Sequence, residues 1–132
     1  MSGDAMRLMR RTIPALLLAG LLSCGGDAGP RGGELDVRLS TPNGDDGAVL
    51  LTLTGGRIDA LQAPGYTVYS ATVAGERRIV VAGRIASGVL LRVQVPDLRQ
   101  AAGYVVTLDQ VARRGTYESR PLGGYTLVII QP

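Results

Sequence analysis

The side chains able to do chemistry are few in this chain, and they are set far apart. There is no His among the 132 residues and a single Cys, at position 24. Without His the chain lacks the commonest general base, the usual zinc ligand and the base of a Ser-His-Asp or Cys-His arrangement. Carboxylates remain, and pairs of them can hydrolyse glycosides. Asp36, Asp59, Asp97, Asp109 and Glu118 show no spacing that pairs them, and solvation of a surface accounts for them. The chain is therefore expected not to be an enzyme. The densest polar run is Asn43-Gly44-Asp45-Asp46-Gly47. Oxygen ligands clustered on a Gly-bearing loop can hold Ca2+, and Asn43, Asp45 and Asp46 are the candidate ligands of a weak site. The run has neither the alternating Asp spacing nor the distal Glu of an EF-hand loop. The competing reading is a hairpin turn whose Asx side chains bond the local backbone. No cofactor is expected.

The lone Cys ends a patterned leader. Arg7, Arg10 and Arg11 form a positive segment, and residues 13–22 (IPALLLAGLL) form an apolar run of about ten, the length of a secretory h-region. A bilayer-spanning helix needs roughly twenty apolar residues, and Pro14 and Gly20 weaken a long helix. The run closes on Leu21-Leu22-Ser23-Cys24, which resembles the lipobox of bacterial lipoproteins. That resemblance implies cleavage between Ser23 and Cys24 and a covalent lipid on the Cys24 sulfur. Each buried CH2 contributes about 0.8 kcal/mol, and two or more chains anchor stably. The implied location is the cell envelope, with the membrane as first partner. Gly25 stands where an Asp retains such proteins on the inner membrane, so the resemblance implies the outer membrane in an organism that has two. The alternative is a free Cys beside an unrelated apolar run.

Processing changes the charge. Three of the 14 basic and one of the 11 acidic residues precede Cys24, leaving 11 against 10. The basic residues that remain are single or in pairs (Arg77-Arg78, Arg113-Arg114), with no Trp or Phe among them. Neighbours on a strand face opposite ways, so neither pair makes a patch. Nucleic-acid binding is excluded by this distribution. A single Cys also excludes an intramolecular disulfide, so stability must come from the core.

Residues 24–33 (CGGDAGPRGG) read as a flexible Gly-rich tether. From residue 34 the pattern has period two. Leu35, Val37 and Leu39 alternate with polar residues, Val49, Leu51 and Leu53 share one face of 48–54, and residues 58–63 form a weaker strand. Further strands are predicted at 66–73, 77–82, 89–95, 104–111 and 125–130, with Val89, Leu91, Val93 and Val95 as the buried set of 89–95. Turn signals lie at 41–47, 74–76 and 83–88, a corner at 97–103 and a long loop at 112–124. Short strands at this spacing predict an all-β fold: one antiparallel sandwich of about seven strands over residues 34–131, preceded by a cleavable signal helix at 1–23 and the tether.

The corner narrows the fold. Leu98, five intervening residues and Tyr104, followed by Val106 and Leu108, resemble the E–F corner of fibronectin type III and other immunoglobulin-like domains. The resemblance implies an immunoglobulin-like sandwich in which Tyr104 opens strand F and its hydroxyl bonds back to the backbone as a tyrosine corner. A cohesin-like sandwich fits the strand pattern equally, and Tyr104 can also be a plain half-buried strand residue. The expected activity is non-catalytic: interaction with, or structural support of, another envelope protein. The alternative is a small-ligand module for carbohydrate or Ca2+. Tyr66 and Tyr69 have opposite parity on their strand, which argues against a continuous stacking platform there.

Overall fold

The computed structural model of the chain describes residues 29–132. The leader, Ser23 and Cys24 lie outside the described residues. Nine strands follow one another: β1 (Gly33–Ser40), β2 (Asp46–Thr54), β3 (Ala60–Gln62), β4 (Thr67–Val73), β5 (Glu76–Ile85), β6 (Gly88–Val95), β7 (Val105–Arg113), β8 (Ser119–Arg120) and β9 (Thr126–Ile130). A 3-10 helix, Leu98–Gly103, sits between β6 and β7. One sheet has the order β3-β6-β1-β9 and the other β4-β5-β2-β7-β8. Every pairing is antiparallel. The fold is a small all-β sandwich.

The alternation that predicts the strands also builds the core. Leu35, Val37 and Leu39 of β1 face Val49, Leu51 and Leu53 of β2 across the two layers, joined by Ile79 and Val81 of β5 and Val93 and Val95 of β6, all buried. Fully burying each such side chain contributes about 1.5–3 kcal/mol. Leu90 departs from the expected pattern. The ladder steps from Val37 opposite Leu91 to Arg38 opposite Val89, so Leu90 is the extra residue of a β-bulge. The bulge turns Leu90 into the core beside Leu91 and leaves Val89 only half-buried. β5 likewise runs past its expected end, carrying Gly83 at φ 147 and burying Ile85. β8 is the strand hidden in the 112–124 loop.

The neighbours in space match a variable-type immunoglobulin sandwich, A-B-E-D against G-F-C-C′-C″, with β1, β2, β6 and β7 in the places of B, C, E and F. The chain fills the remaining places in its own sequence. The place of A beside β1 is taken by the C-terminal β9, and β3 takes the place of D before β4 and β5 are laid down.

The sandwich has two distinct ends. At the near end β1 begins, opposite the close of β6, and the Arg31 carbonyl already accepts the Leu98 N–H at 2.7 Å. Arg31 and Gly33, both within the expected tether, are thus already bound into the domain. Gly33 packs closely under Leu98: a Cβ there would lie 2.5 Å from Leu98 Cδ1 and would have to displace that side chain. At the far end lie the 41–45 loop, the β5–β6 turn and the segments flanking β8.

Candidate functional site

The run 41–47 is a far-end turn whose two Asp residues have different surroundings. Asp46 opens β2 and is 0 % exposed. Its Oδ2 accepts from the Thr41 hydroxyl at 2.5 Å and its Oδ1 from the Tyr125 hydroxyl at 2.8 Å. Arg120 Nε, buried and without a hydrogen-bond partner, stands 3.4 Å from the same Oδ1. Asp45, half-exposed, accepts from Arg113 Nε at 3.1 Å and from Arg120 Nη2. Asn43 donates its side-chain amide to the Tyr125 hydroxyl at 2.8 Å, and its backbone N–H bonds Thr41 Oγ1 at 3.0 Å. The three candidate Ca2+ ligands are therefore close together, but their oxygens and amide are turned to two guanidiniums, a tyrosine and a threonine. A cation entering here would meet Arg113 and Arg120 first. Among the described residues no group of three or more His, Cys, Asp or Glu is placed to hold a metal ion. The local-turn reading of the run accounts for the Thr41–Asn43 bond, while the long-range bonds make it a latch across the far end.

The near end is closed by Tyr104, which is 7 % exposed. The 3-10 helix before it is capped by Asp97, whose Oδ1 accepts from the Arg99 N–H at 3.0 Å and whose carboxylate also takes both Arg99 Nε and Nη2. The Arg99 side chain beside it holds the Asp97 carboxyl below its ordinary value of 3.8. The Tyr104 hydroxyl donates to the Arg57 carbonyl at 2.5 Å. The acceptor is 47 positions upstream, so this tyrosine ties the corner to the β2–β3 loop instead of to the corner's own backbone. Burial, and then the charges of Asp59 and Asp97, push its phenol above the ordinary 10.0. Gly55 and Gly56 let the loop approach: a Cβ on Gly55 would lie 1.9 Å from the Gly103 carbonyl oxygen, and one on Gly56 2.9 Å from the Tyr104 hydroxyl. Leu98 packs half-buried against the core.

A cleft of about 240 Å³ opens beside this loop, between Gly55, Gly56 and Ile58 on one side and Thr72 and Gly75 on the other. Arg57 and Arg77 are the charged residues that border it. Arg57 is paired with Asp59 at 3.0 Å, and Arg77 Nη1 lies 3.5 Å from Ser70 Oγ. The other carboxylates singled out in the sequence each have a local partner: Asp36 with Arg92, Asp109 with Thr52, and Glu118 with Thr116.

The outer faces of the two sheets differ sharply in chemistry. On the four-stranded sheet, the cross-strand rows Gln62-Arg92-Asp36-Ile130 and Val89-Arg38-Val128 each carry charge, and Arg92 lies 3.6 Å from Asp36. On the five-stranded sheet, two adjacent rows carry none: Tyr69-Val80-Leu50-Gln110 and Thr67-Ala82-Ala48-Ala112. The charges on the strands of this face lie outside those two rows: Glu76, Arg78 and Asp109 on its near half, and the exposed Arg84 at the far end of β5. A depression of about 200 Å³ between Ala48, Leu50, Val80 and Ala112 marks the uncharged half, and Tyr69, 62 % exposed, stands at its edge. Sequence parity places these residues outward, but only the strand order makes them one surface. Tyr125 and Arg120 were also missed in the sequence. The one local signal was that Tyr125, like Tyr104, immediately precedes a strand.

A scan of the chain against protein-family models, and searches of curated proteins and of solved structures, return no match.

Proposed function

We propose that this chain is a lipid-anchored envelope protein whose sandwich docks another envelope protein, without catalysis, through the uncharged outer face of the five-stranded sheet. The observation that carries the docking reading is the contrast between the two outer faces. An uncharged apolar surface rimmed by polar residues marks a protein interaction site, and Tyr is among the side chains enriched at the energetic centres of such sites. The anchor rests on the Leu21-Leu22-Ser23-Cys24 run and its leader. No helix among the described residues is long and apolar enough to cross a membrane. By the same resemblance the protein sits on the outer membrane where two membranes exist.

Two variants of the full chain separate anchor from docking. Cys24→Ser should free the protein from washed membranes; retention through detergent-free washing would refute the lipid anchor. Leu50→Asp puts a charge into the depression and should lower recovery of the co-purifying envelope protein about tenfold or more while leaving membrane attachment intact. Unchanged recovery would refute the docking face.

The small-ligand reading has its best support at the near-end cleft rather than in the 41–47 run. A cleft bordered by Arg57 and Arg77 suits a small anionic ligand, such as the carboxylate of an acidic sugar. An acidic-glycan array that binds the chain, with binding lost in Arg77→Gln, would establish that reading; a blank array removes it.

A further inference from the structure

The four sheet edges are not alike. β3 and β8 expose edges of only three and two residues. β9 runs beside β7 of the other sheet. β4 is a seven-residue edge, TVYSATV, with no charge, no Pro and an unbroken register against β5. Its free side offers unpaired N–H and C=O groups, and natural sheets blunt such edges with charge, Pro, bulges or shortness. None of these devices is present on β4, so its edge has the form of a pairing surface.

We infer that β4 pairs antiparallel with β4 of a second copy of this chain, about a two-fold axis at Ser70, joining two five-stranded sheets into one. The register follows from the residues. Centring on Ser70 sets Thr67 against Val73, Val68 against Thr72 and Tyr69 against Ala71. Outward residues then meet outward residues, whereas a shift by one position would oppose the two faces. Ala71 is the feature that selects a second copy. In the single chain Ala71 lies opposite Arg78, which is exposed and has no acidic partner among the described residues. In the pair, the second copy's Tyr69 would lie on the other side of the same Ala71. Arg78 and that Tyr69 would then be two strand spacings apart, roughly 10 Å between Cα atoms, with only a methyl group between them. Both long side chains can close over it into a cation–π contact, and the two-fold axis makes the contact twice. Glu76 and Arg78 of one copy face no like charge in this register. The joined sheet leaves the Leu50–Val80 depression of each copy open, so pairing and docking are compatible, with Tyr69 at the border of both surfaces.

The test is disulfide trapping on the full chain, with the unsubstituted chain, which retains Cys24, as background. Ser70→Cys places a thiol on the axis, where paired strands bring Cα atoms within disulfide range. Thr107→Cys, also at an exposed strand position on β7, is the control. The expected result is covalent homodimer from Ser70→Cys at least about tenfold faster than from the control, with sedimentation of the unsubstituted chain in detergent showing a reversible dimer. Ala71→Lys, an exposed change that should leave the melting temperature within a few degrees, should shift that dimer to monomer. Trapping no faster than the control, a dimer indifferent to Ala71→Lys, or trapping of Ser70→Cys only to a different protein would each overturn the inference. Loss of docking in Leu50→Asp with trapping intact would leave it standing.

Discussion

The near and far ends of the sandwich are closed by the same device with different acceptors. At each, a tyrosine placed just ahead of a strand sends its hydroxyl across the molecule: Tyr104 to the Arg57 carbonyl, Tyr125 to the Asp46 carboxylate. The near-end acceptor is a neutral backbone group on a loop that borders an open cleft. The far-end acceptor is a fully buried charge that also needs Thr41 and Arg120. The two ends therefore differ in what the failure of each latch exposes. A neutral latch that fails leaves one carbonyl for water to reach, whereas a failed ionic latch leaves a charge in the core.

The largest effect should follow from breaking the far-end balance. Arg120→Ala leaves Asp46 buried without its cation and should cost about 3–5 kcal/mol, read as a shift in the urea midpoint. A loss near zero would mean that Asp46 is stabilised by its hydrogen bonds alone. Tyr125→Phe removes a hydrogen bond to the same carboxylate and should cost about 1.5–3 kcal/mol by the same measurement. Tyr104→Phe removes one to a neutral carbonyl, and the expected cost is about 1 kcal/mol. If the two Tyr→Phe losses came out equal, the distinction between the ends would be broken.

The smallest effect is in pH. Because the Tyr104 phenol titrates above 10.0 in the folded chain, the folded state holds its proton more tightly than the unfolded state does. Its contribution is fully present below pH 10 and is lost as pH rises from there through the folded value. Tyr104→Phe should therefore flatten part of the alkaline fall in melting temperature. An unchanged slope above pH 10 would contradict the buried placement of that hydroxyl.

Much of the architecture is local and was therefore legible. The alternation of Leu35, Val37 and Leu39, and the Leu98-to-Tyr104 corner, are signals carried within a few residues. Leu90 shows where legibility stops. Its burial depends on a bulge against β1, more than fifty residues away in the chain, and no period reveals it. Asp45 and Asp46 are adjacent and chemically alike, yet one is half-exposed and the other sealed by a tyrosine 79 positions on. The uncharged face was illegible for the same reason. Leu50, Val80 and Tyr69 become neighbours only through the order β4-β5-β2.

Docking through that face is tested most directly by site-specific photocrosslinking in intact cell envelopes. A photoreactive residue is placed at position 50 or 80 on the uncharged face, and at position 38 or 62 on the charged one, in the full chain. A discrete adduct to another envelope protein is expected from 50 and 80 and none from 38 and 62. Adducts from the charged face alone, or from both faces equally, would contradict it.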